Sequence, residues 1–399
     1  MNGWSMDGKT RIENMIEQAQ ERFVVESAED AGEDDIAGFL KEAYSSAYNA
    51  PEYADREKVV ARWWWANRDN PSIGDLGFPA WFCKDRTTGE IAGHLAATPV
   101  TVSVGAEPYP AVWARDLIVL NKWRKSGAFA LLFHFFMERM KNRTAFTLLG
   151  GAHDYVVARY KKLGYVHLGY LPLYVYPVSC PGILERYVKP KPIAHMGGHI
   201  LNILLKGKQG LWNLGLPSAP RDLAITRVHD FDESFDRFWD GLSPAFPAII
   251  RRDSSYLKWR FLNNPFWHYE IFKAERKGEI LGYIVLREGL SRDLATGVIS
   301  DILAHPGDDV AIRSLIRFAQ THFSGKRHIE LIRCDILGRN FESQLKNLGF
   351  FSARSTTHFL VGNIKEGMGR ELILDRDKWF MDYSDSDFDL WGRRSYPSP

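Results

Sequence analysis

Cysteine is scarce in this chain. The three present in 399 residues, Cys83, Cys180 and Cys334, lie far apart and show no metal-ligand spacing. That excludes a cysteine-built zinc site or a disulfide framework as the organising element and predicts reduced, buried thiols. An excess of one charge is also missing. With 51 basic and 49 acidic residues the net charge is +2, so the overall field selects neither nucleic acid nor a membrane as partner. No uninterrupted apolar run approaches the ~20 residues of a spanning helix, so no integral membrane segment is expected. The polar N-terminus has no apolar core of a signal peptide. These absences point to a cytoplasmic globular protein. Apolar residues at 45% and charged residues at 25% are ordinary for such a chain, whose length suffices for two domains with separate cores.

What the sequence does contain is a repeat. Asp116-Leu117-Ile118-Val119 is followed by Tyr160-Lys161-Lys162-Leu163-Gly164-Tyr165, and Asp301-Ile302-Leu303-Ala304 by Leu345-Lys346-Asn347-Leu348-Gly349-Phe350. The aspartate-to-glycine spacing is the same in both (164−116 = 48 and 349−301 = 48). Trp65 precedes Pro71 by six residues and Trp259 precedes Pro265 by six, and Gly89–Gly93 matches Gly278–Gly282. Matches in the same order imply a duplicated unit. The predicted organisation is a first domain over 1–178, a linker over 179–221, a second domain over 222–365 and a tail over 366–399. The stretch 177–222 carries six prolines and Gly197-Gly198. Its apolar piece, Ile200–Leu205, is expected to pack across the seam between domains rather than on a membrane. The tail aspartates Asp382, Asp385, Asp387 and Asp389 read as a solvated edge, with no clear Ca²⁺-loop spacing.

The feature that can carry chemistry is a turn. Asn121-Lys122-Trp123-Arg124-Lys125-Ser126-Gly127-Ala128 joins a strand to a helix whose apolar face includes Phe129, Leu132, Phe133 and Phe136. Free amides at a helix N-terminus, with the positive end of its dipole and two cations, suit a phosphate or pyrophosphate. Together with Leu117-Ile118-Val119 before it and Tyr160–Tyr165 after it, this turn resembles the motif of the GNAT (GCN5-related N-acetyltransferase) superfamily. The family pattern is a strand ending in valine, then Arg/Gln-x-x-Gly-x-Gly/Ala opening a helix, then Tyr-x-x-x-Gly-Phe/Tyr. The resemblance covers about residues 20–178, and residues 222–362 more faintly.

It implies an α/β (α+β) fold of two tandem GNAT-like domains, each a mixed, mostly antiparallel sheet flanked by helices and splayed open beside the fourth strand. Acetyl-CoA as co-substrate would lie in the splay. Its pantetheine arm would run along Leu117, Ile118, Val119 and Leu120, and its pyrophosphate would meet the amides around Arg124, Lys125, Ser126, Gly127 and Ala128. Tyr160 matches the family's general acid for the leaving thiolate, and leucine at the matching position 345 indicates that folding does not demand the hydroxyl. Asp116 is the candidate base, although Asp301 at the matching position is equally consistent with a strand brace; His94 and His153 are alternatives. Phe129 departs from the motif, at a position usually glycine or alanine, and its helical phase predicts a core ring. The second copy has Pro306-Gly307-Asp308-Asp309-Val310-Ala311-Ile312 where the first has its basic turn, and acidic groups there repel a diphosphate.

The resulting expectation is an N-acyltransferase, acetyl in the first instance, acting on a small-molecule amine, with no nucleic-acid partner. Trp259-Arg260-Phe261-Leu262-Asn263-Asn264-Pro265 is similar to a segment of bacterial tandem proteins associated with surface-polysaccharide synthesis, which implies an amino sugar. Two alternatives stay open. One is a Fem-type aminoacyl transferase, which would carry a long heptad-rich helical arm; the other is a non-catalytic interaction protein. Of Trp63-Trp64-Trp65, the last is expected in the core because Trp259 matches it.

Overall fold

The computed structural model describes residues 6–48, 55–150, 154–214, 220–291, 293–386 and 389. His153 and Asp387 lie outside them. The first half runs α1 (Met6–Arg22), β1 (Phe23–Ser27), α2 (Glu33–Tyr48), α3 (Arg56–Asn67), β2 (Ala80–Asp85), β3 (Ile91–Val104), β4 (Glu107–Val119), α4 (Ala128–Met140), β5 (Phe146–Gly150), α5 (Asp154–Lys162), β6 (Val166–Tyr170) and β7 (Leu173–Pro177). A helical pair follows, α6 (Cys180–Tyr187) and α7 (Lys191–Leu214). The second half runs β8 (Leu223–Val228), α8 (Glu233–Leu242), β9 (Ala248–Ile250), α9 (Ser254–Leu257), β10 (Glu270–Arg276), β11 (Glu279–Ser291), β12 (Leu294–Ala304), α10 (Asp309–Ser324), β13 (Leu331–Leu337), α11 (Arg339–Asn347), β14 (Phe351–Ala353), β15 (His358–Gly362), α12 (Arg370–Leu374) and β16 (Trp379–Asp382).

The pairing repeats. In the first half β1, β2, β3 and β4 are successive antiparallel neighbours and β5 joins β4 in parallel. In the second half β8, β10, β11 and β12 do the same and β13 joins β12 in parallel. The last parallel rung is Ala114 opposite Leu149 in one half and Ile299 opposite Cys334 in the other (299−114 and 334−149 are both 185). Asp301 and Gly349 stand at that same offset from Asp116 and Gly164, so the spacing seen in the sequence is the spacing of the sheets. Both glycines adopt positive φ, 89° and 85°, which favours glycine.

The two halves exchange a strand. β15 of the second half lies between β5 and β6 of the first, antiparallel to both. Reciprocally, β7 of the first half lies between β13 and β14 of the second. Leu360, on β15, is buried in the cluster formed by Phe133 and Phe136 of α4, Tyr160 of α5 and Ala19 of α1. This cluster covers one face of the first sheet, and α2 and α3 cover the other with Phe39, Val59 and Trp63. With both faces covered, β3 is buried along most of its length. The matched tryptophans meet: Trp65 and Trp259 stack at 4.8 Å, and each indole N–H donates to the other's main-chain carbonyl, at 2.9 and 3.0 Å. Trp63 is also buried, whereas Trp64 is half-buried and donates to Glu33.

Two expectations need correction. The Ile200–Leu205 piece belongs to α7, and Ile200, Ile203 and Leu204 are exposed rather than packed over the seam. The tail is not a solvated edge: Asp382, Asp385 and Asp389 are buried, because Arg252 and Arg287 reach them.

The exchange gives the halves a shared core. Leu360→Ala, a cavity in the first half's core made by a residue of the second, should cost about 2–5 kcal/mol. Urea unfolding followed by tryptophan fluorescence and by circular dichroism should still give one coincident transition; two separated transitions would contradict the shared core.

Candidate functional site

β4 is exposed at its start, buried from Ala111 to Trp113 and half-buried from Asp116 to Val119. Pro110 to Ala114 pair with β3, and Ala111 to Ala114 also pair with β5, but no rung to β5 follows Ala114. The β3–β4 register slips between His94 opposite Ile118 and Ala96 opposite Arg115, a bulge at Asp116–Leu117. Asp116 sits at φ 52°, a left-handed conformation that aspartate tolerates. A bulge bends its strand and strengthens the local twist, which turns β4 away from β5. Beside 117–120 the described residues therefore give β4 no partner on the β5 side. Leu117 and Val119 pack toward the α4 side and Ile118 toward α2 and α3.

From the end of β4 the chain makes a short 3-10 turn, Asn121–Trp123, and enters α4 through Gly127, at φ 88° and with no side-chain cap. Lys125 is also left-handed, at φ 73°. The amide of Arg124 donates to the carbonyl of Asn121 and that of Ser126 to the carbonyl of Trp123, both at 3.2 Å. The Ser126 hydroxyl donates to the Trp123 carbonyl at 2.6 Å and accepts weakly from the Ala128 amide at 3.4 Å. These three residues brace the loop. The amides of Lys125, Gly127, Phe129 and Ala130 have no partner among the described residues. Four donors without a partner among the described residues, at a helix N-terminus with the exposed Arg124 and Lys125 beside them, could hold an anion. Lys122 is paired with Glu90 instead. A Cβ on Gly127 would stand 2.8 Å from the Ala19 Cβ, so this glycine also admits α1.

Phe129 is not a core ring. It is half-buried, stacks on Phe133 at 6.4 Å and lies beneath the guanidinium of Arg159 at 6.0 Å. In the first turn of α4, helical phase carries a side chain toward the end of the helix instead of onto the sheet. The contact brings Arg159, an exposed cation that sequence reasoning missed, beside the first turn of α4; its only signal was its place beside Tyr160. Tyr160 itself is buried, 5.3 Å from Phe133 and 5.7 Å from Tyr165 between ring centroids. Leu345 fills the same place on α11 and is buried there.

Asp116 is deeply committed. Its carboxylate accepts from the Tyr44 hydroxyl and from Arg115 at 2.6 Å, and its carbonyl faces the His94 Nδ1 at 3.1 Å. Arg115 also donates to Asn67 and, at 3.0 Å, to Thr98. Burial acts to raise the Asp116 pKa, but the charges of Arg115 and Arg62 and the Tyr44 hydrogen bond outweigh it and hold the group below its ordinary value. Such a carboxylate is a weak proton acceptor and a firm clamp on the bulge. His94 is buried among Phe39, Trp63 and Phe82, and burial lowers its pKa to about 4. It is neutral at physiological pH, with Nδ1–H donated to the bulge.

The second copy is closed by its own residues. Asp308 caps α10 and accepts from the Ala311 amide at 2.9 Å, where the first copy leaves donors open. Past the rung of Ile299 and Cys334, the edge of β13 is taken by β16, through Ile336 opposite Asp382 and Leu337 opposite Met381. Asp301, buried next to the second bulge at Ser300, accepts from Arg252 at 3.2 Å and from the Tyr283 hydroxyl at 3.1 Å. Arg252 also donates to Asp382 at 3.2 Å and Asp385 at 2.8 Å. Burial and the nearby Asp301 push Asp382 well above the usual carboxyl range. The tail thus covers the end of β13 beyond its pairing with β12.

Asp116→Asn tests the clamp. A depressed folded-state pKa contributes stability that is present above the unfolded value and lost as pH falls through the folded one, below 3.8. The variant leaves Arg115 buried and uncompensated, so unfolding at neutral pH should lose about 3–5 kcal/mol. Its acid unfolding curve should also be shallower than that of the wild type.

No family model matches the sequence, and none of the curated proteins does. Solved structures do match in fold. Yeast (Saccharomyces cerevisiae) N-myristoyltransferase with bound myristoyl-CoA shares 12% identity over 86% of this chain and 83% of its own, with a TM-score of 0.56. A GCN5-related N-acetyltransferase from Anabaena variabilis shares 14% over 86% and 73%, also at 0.56. An Enterococcus faecalis protein described as a probable N-acyltransferase shares 13% over 85% and 72%, at 0.54. The chain has the two-domain GNAT fold.

Proposed function

We propose that the first half is an acyl-CoA-dependent N-acyltransferase and that its donor is acetyl-CoA. The observation that carries this reading is the coincidence of two features on one β4–α4 unit: strands that part after Ala114, and a glycine-capped helix with four open amides and two cations. The pyrophosphate would rest on the amides of Lys125, Gly127, Phe129 and Ala130, with Arg124, Lys125 and Arg159 around it. The pantetheine would pair with the free edge of β4 along Leu117, Ile118 and Val119. That solved relatives in fold include acyl-CoA enzymes supports the same reading.

In the reaction, the neutral amine attacks the thioester carbonyl, a C–N bond forms and the C–S bond breaks. Tyr160 gives its proton to the departing CoA thiolate, whose basicity is close to that of a phenol near pKa ~10. The nitrogen's extra proton leaves to water, and water returns one to Tyr160. We assign Asp116 the task of fixing the bulge, because its oxygens are held by Tyr44 and Arg115. The acceptor is a small-molecule primary amine. An amino sugar is the candidate from sequence, but the segment that suggested it is structural here: Trp259 stacks on Trp65 and Arg260 donates to the Ser386 carbonyl at 2.7 Å. The non-catalytic alternative rested on Phe129, whose ring stacks beside the turn on Phe133.

Calorimetry should detect one site for acetyl-CoA, and comparison with myristoyl-CoA sets the acyl length. Arg124→Glu, an exposed change, should weaken binding about tenfold or more through charge reversal at the diphosphate. Absence of binding by the wild type would remove the enzyme reading. Tyr160→Phe should retain acetyl-CoA affinity while kcat, followed as thiol release across a panel of amines, falls about a hundredfold or more.

A further inference from the structure

The helical pair between the halves carries a surface that the acyltransferase reading does not use. α6 is anchored on the second half: the Val178 and Ser179 amides donate to the Glu330 carbonyl at 2.9 and 3.0 Å, and Arg186 pairs with Glu330. α7 lies on α6 by one face. The Asn202 side chain accepts the Cys180 amide at 2.9 Å, His195 meets Glu185, and a Cβ on Gly198 would fall 2.4 Å from the Pro181 Cα. The face turned away from α6 presents Ile193, Met196, Ile200, Ile203 and Leu204, exposed by 59, 63, 55, 71 and 63%. Their spacing of three, four, three and one residues forms a single stripe along the helix.

Five large apolar side chains in one stripe mark an interaction surface. The charges around it say what it meets. From residue 188 to residue 221 the sequence has Lys189, Lys191, Lys206, Lys208 and Arg221 and neither aspartate nor glutamate. The near-zero charge of the whole chain conceals this local excess. We propose that α7 is an interfacial helix that lays its apolar stripe into an anionic lipid surface, with the surrounding cations on the headgroups. A helix of this kind lies in the plane of the interface, its apolar face sunk to the acyl boundary. No helix among the described residues is long and apolar enough to cross a membrane, so lying on the surface is the geometry open to α7. A second copy of the chain is a poorer occupant, since a symmetric contact would set cation-only segments against each other. The proposal does not depend on the acyltransferase reading.

Flotation of the full chain with vesicles tests it. The wild type should float with phosphatidylcholine–phosphatidylglycerol vesicles and bind phosphatidylcholine alone about tenfold or more weakly, in line with the contribution of each lysine at an anionic surface. Ile200→Glu with Ile203→Glu should reduce flotation about tenfold or more by removing buried apolar area, with circular dichroism and thermal unfolding unchanged. Should that pair disturb folding, Lys206→Glu with Lys208→Glu provides the second test and should weaken binding to the mixed vesicles alone. The proposal is overturned if the wild type fails to float with mixed vesicles, or if the variants float as well as it does. It is equally overturned if light scattering finds a dimer that Ile200→Glu with Ile203→Glu converts to monomers.

Discussion

Two parallel strands that separate after a short run of rungs set the terms for the rest of this molecule. Beyond Ala114 and Leu149 in one half, and beyond Ile299 and Cys334 in the other, main-chain edges inside a covered sheet lose their partners. Such groups are expensive to leave unpaired, so something must answer them. The second half answers from within, with β16 and its aspartates gathered by Arg252. The first half has no such segment among the described residues. One architecture therefore appears in two states: one edge is covered by its own chain, and the other has no partner among the described residues.

Keeping a gap open requires that the strands bordering it stay where they are. The bulge at Asp116 is held by a tyrosine, an arginine and a histidine from β3, β4 and α2. The sealed copy holds Asp301 with a different arginine and tyrosine. That an aspartate is fixed at both bulges, whether or not a ligand can enter, separates clamping from catalysis more clearly than its position alone. At Tyr160 the matched residue differs: Leu345 is buried in the same place without a hydroxyl.

Much of this was legible in the sequence. The shared spacing from aspartate to glycine corresponds to the shared offset of the sheets, and the basic glycine turn lies at a helix start with open donors. What escaped has definable causes. β7 and β15 have the same length and role in their halves, and nothing local in either tells it to cross to the other sheet; that choice rests on long-range pairing. The tail aspartates carry the pattern of a solvated edge, and only Arg252, 130 residues from Asp382, turns them into a core. Phe129 shares helical phase with Phe133, but phase does not say that the first turn overhangs the sheet. The apolar run Ile200–Leu205 suggested burial, but hydrophobicity alone does not say whether a helix face is covered, and Ile200, Ile203 and Leu204 are exposed.

The stacked pair of Trp65 and Trp259, each donating to the other's backbone, has the form of a contact across a twofold axis, and so does the reciprocal transfer of β7 and β15. A chain of half this length could meet a second copy of itself through the same groups. Fusing two such copies would require no new interface, and would let two matched strand edges diverge, one of them taken up by β16.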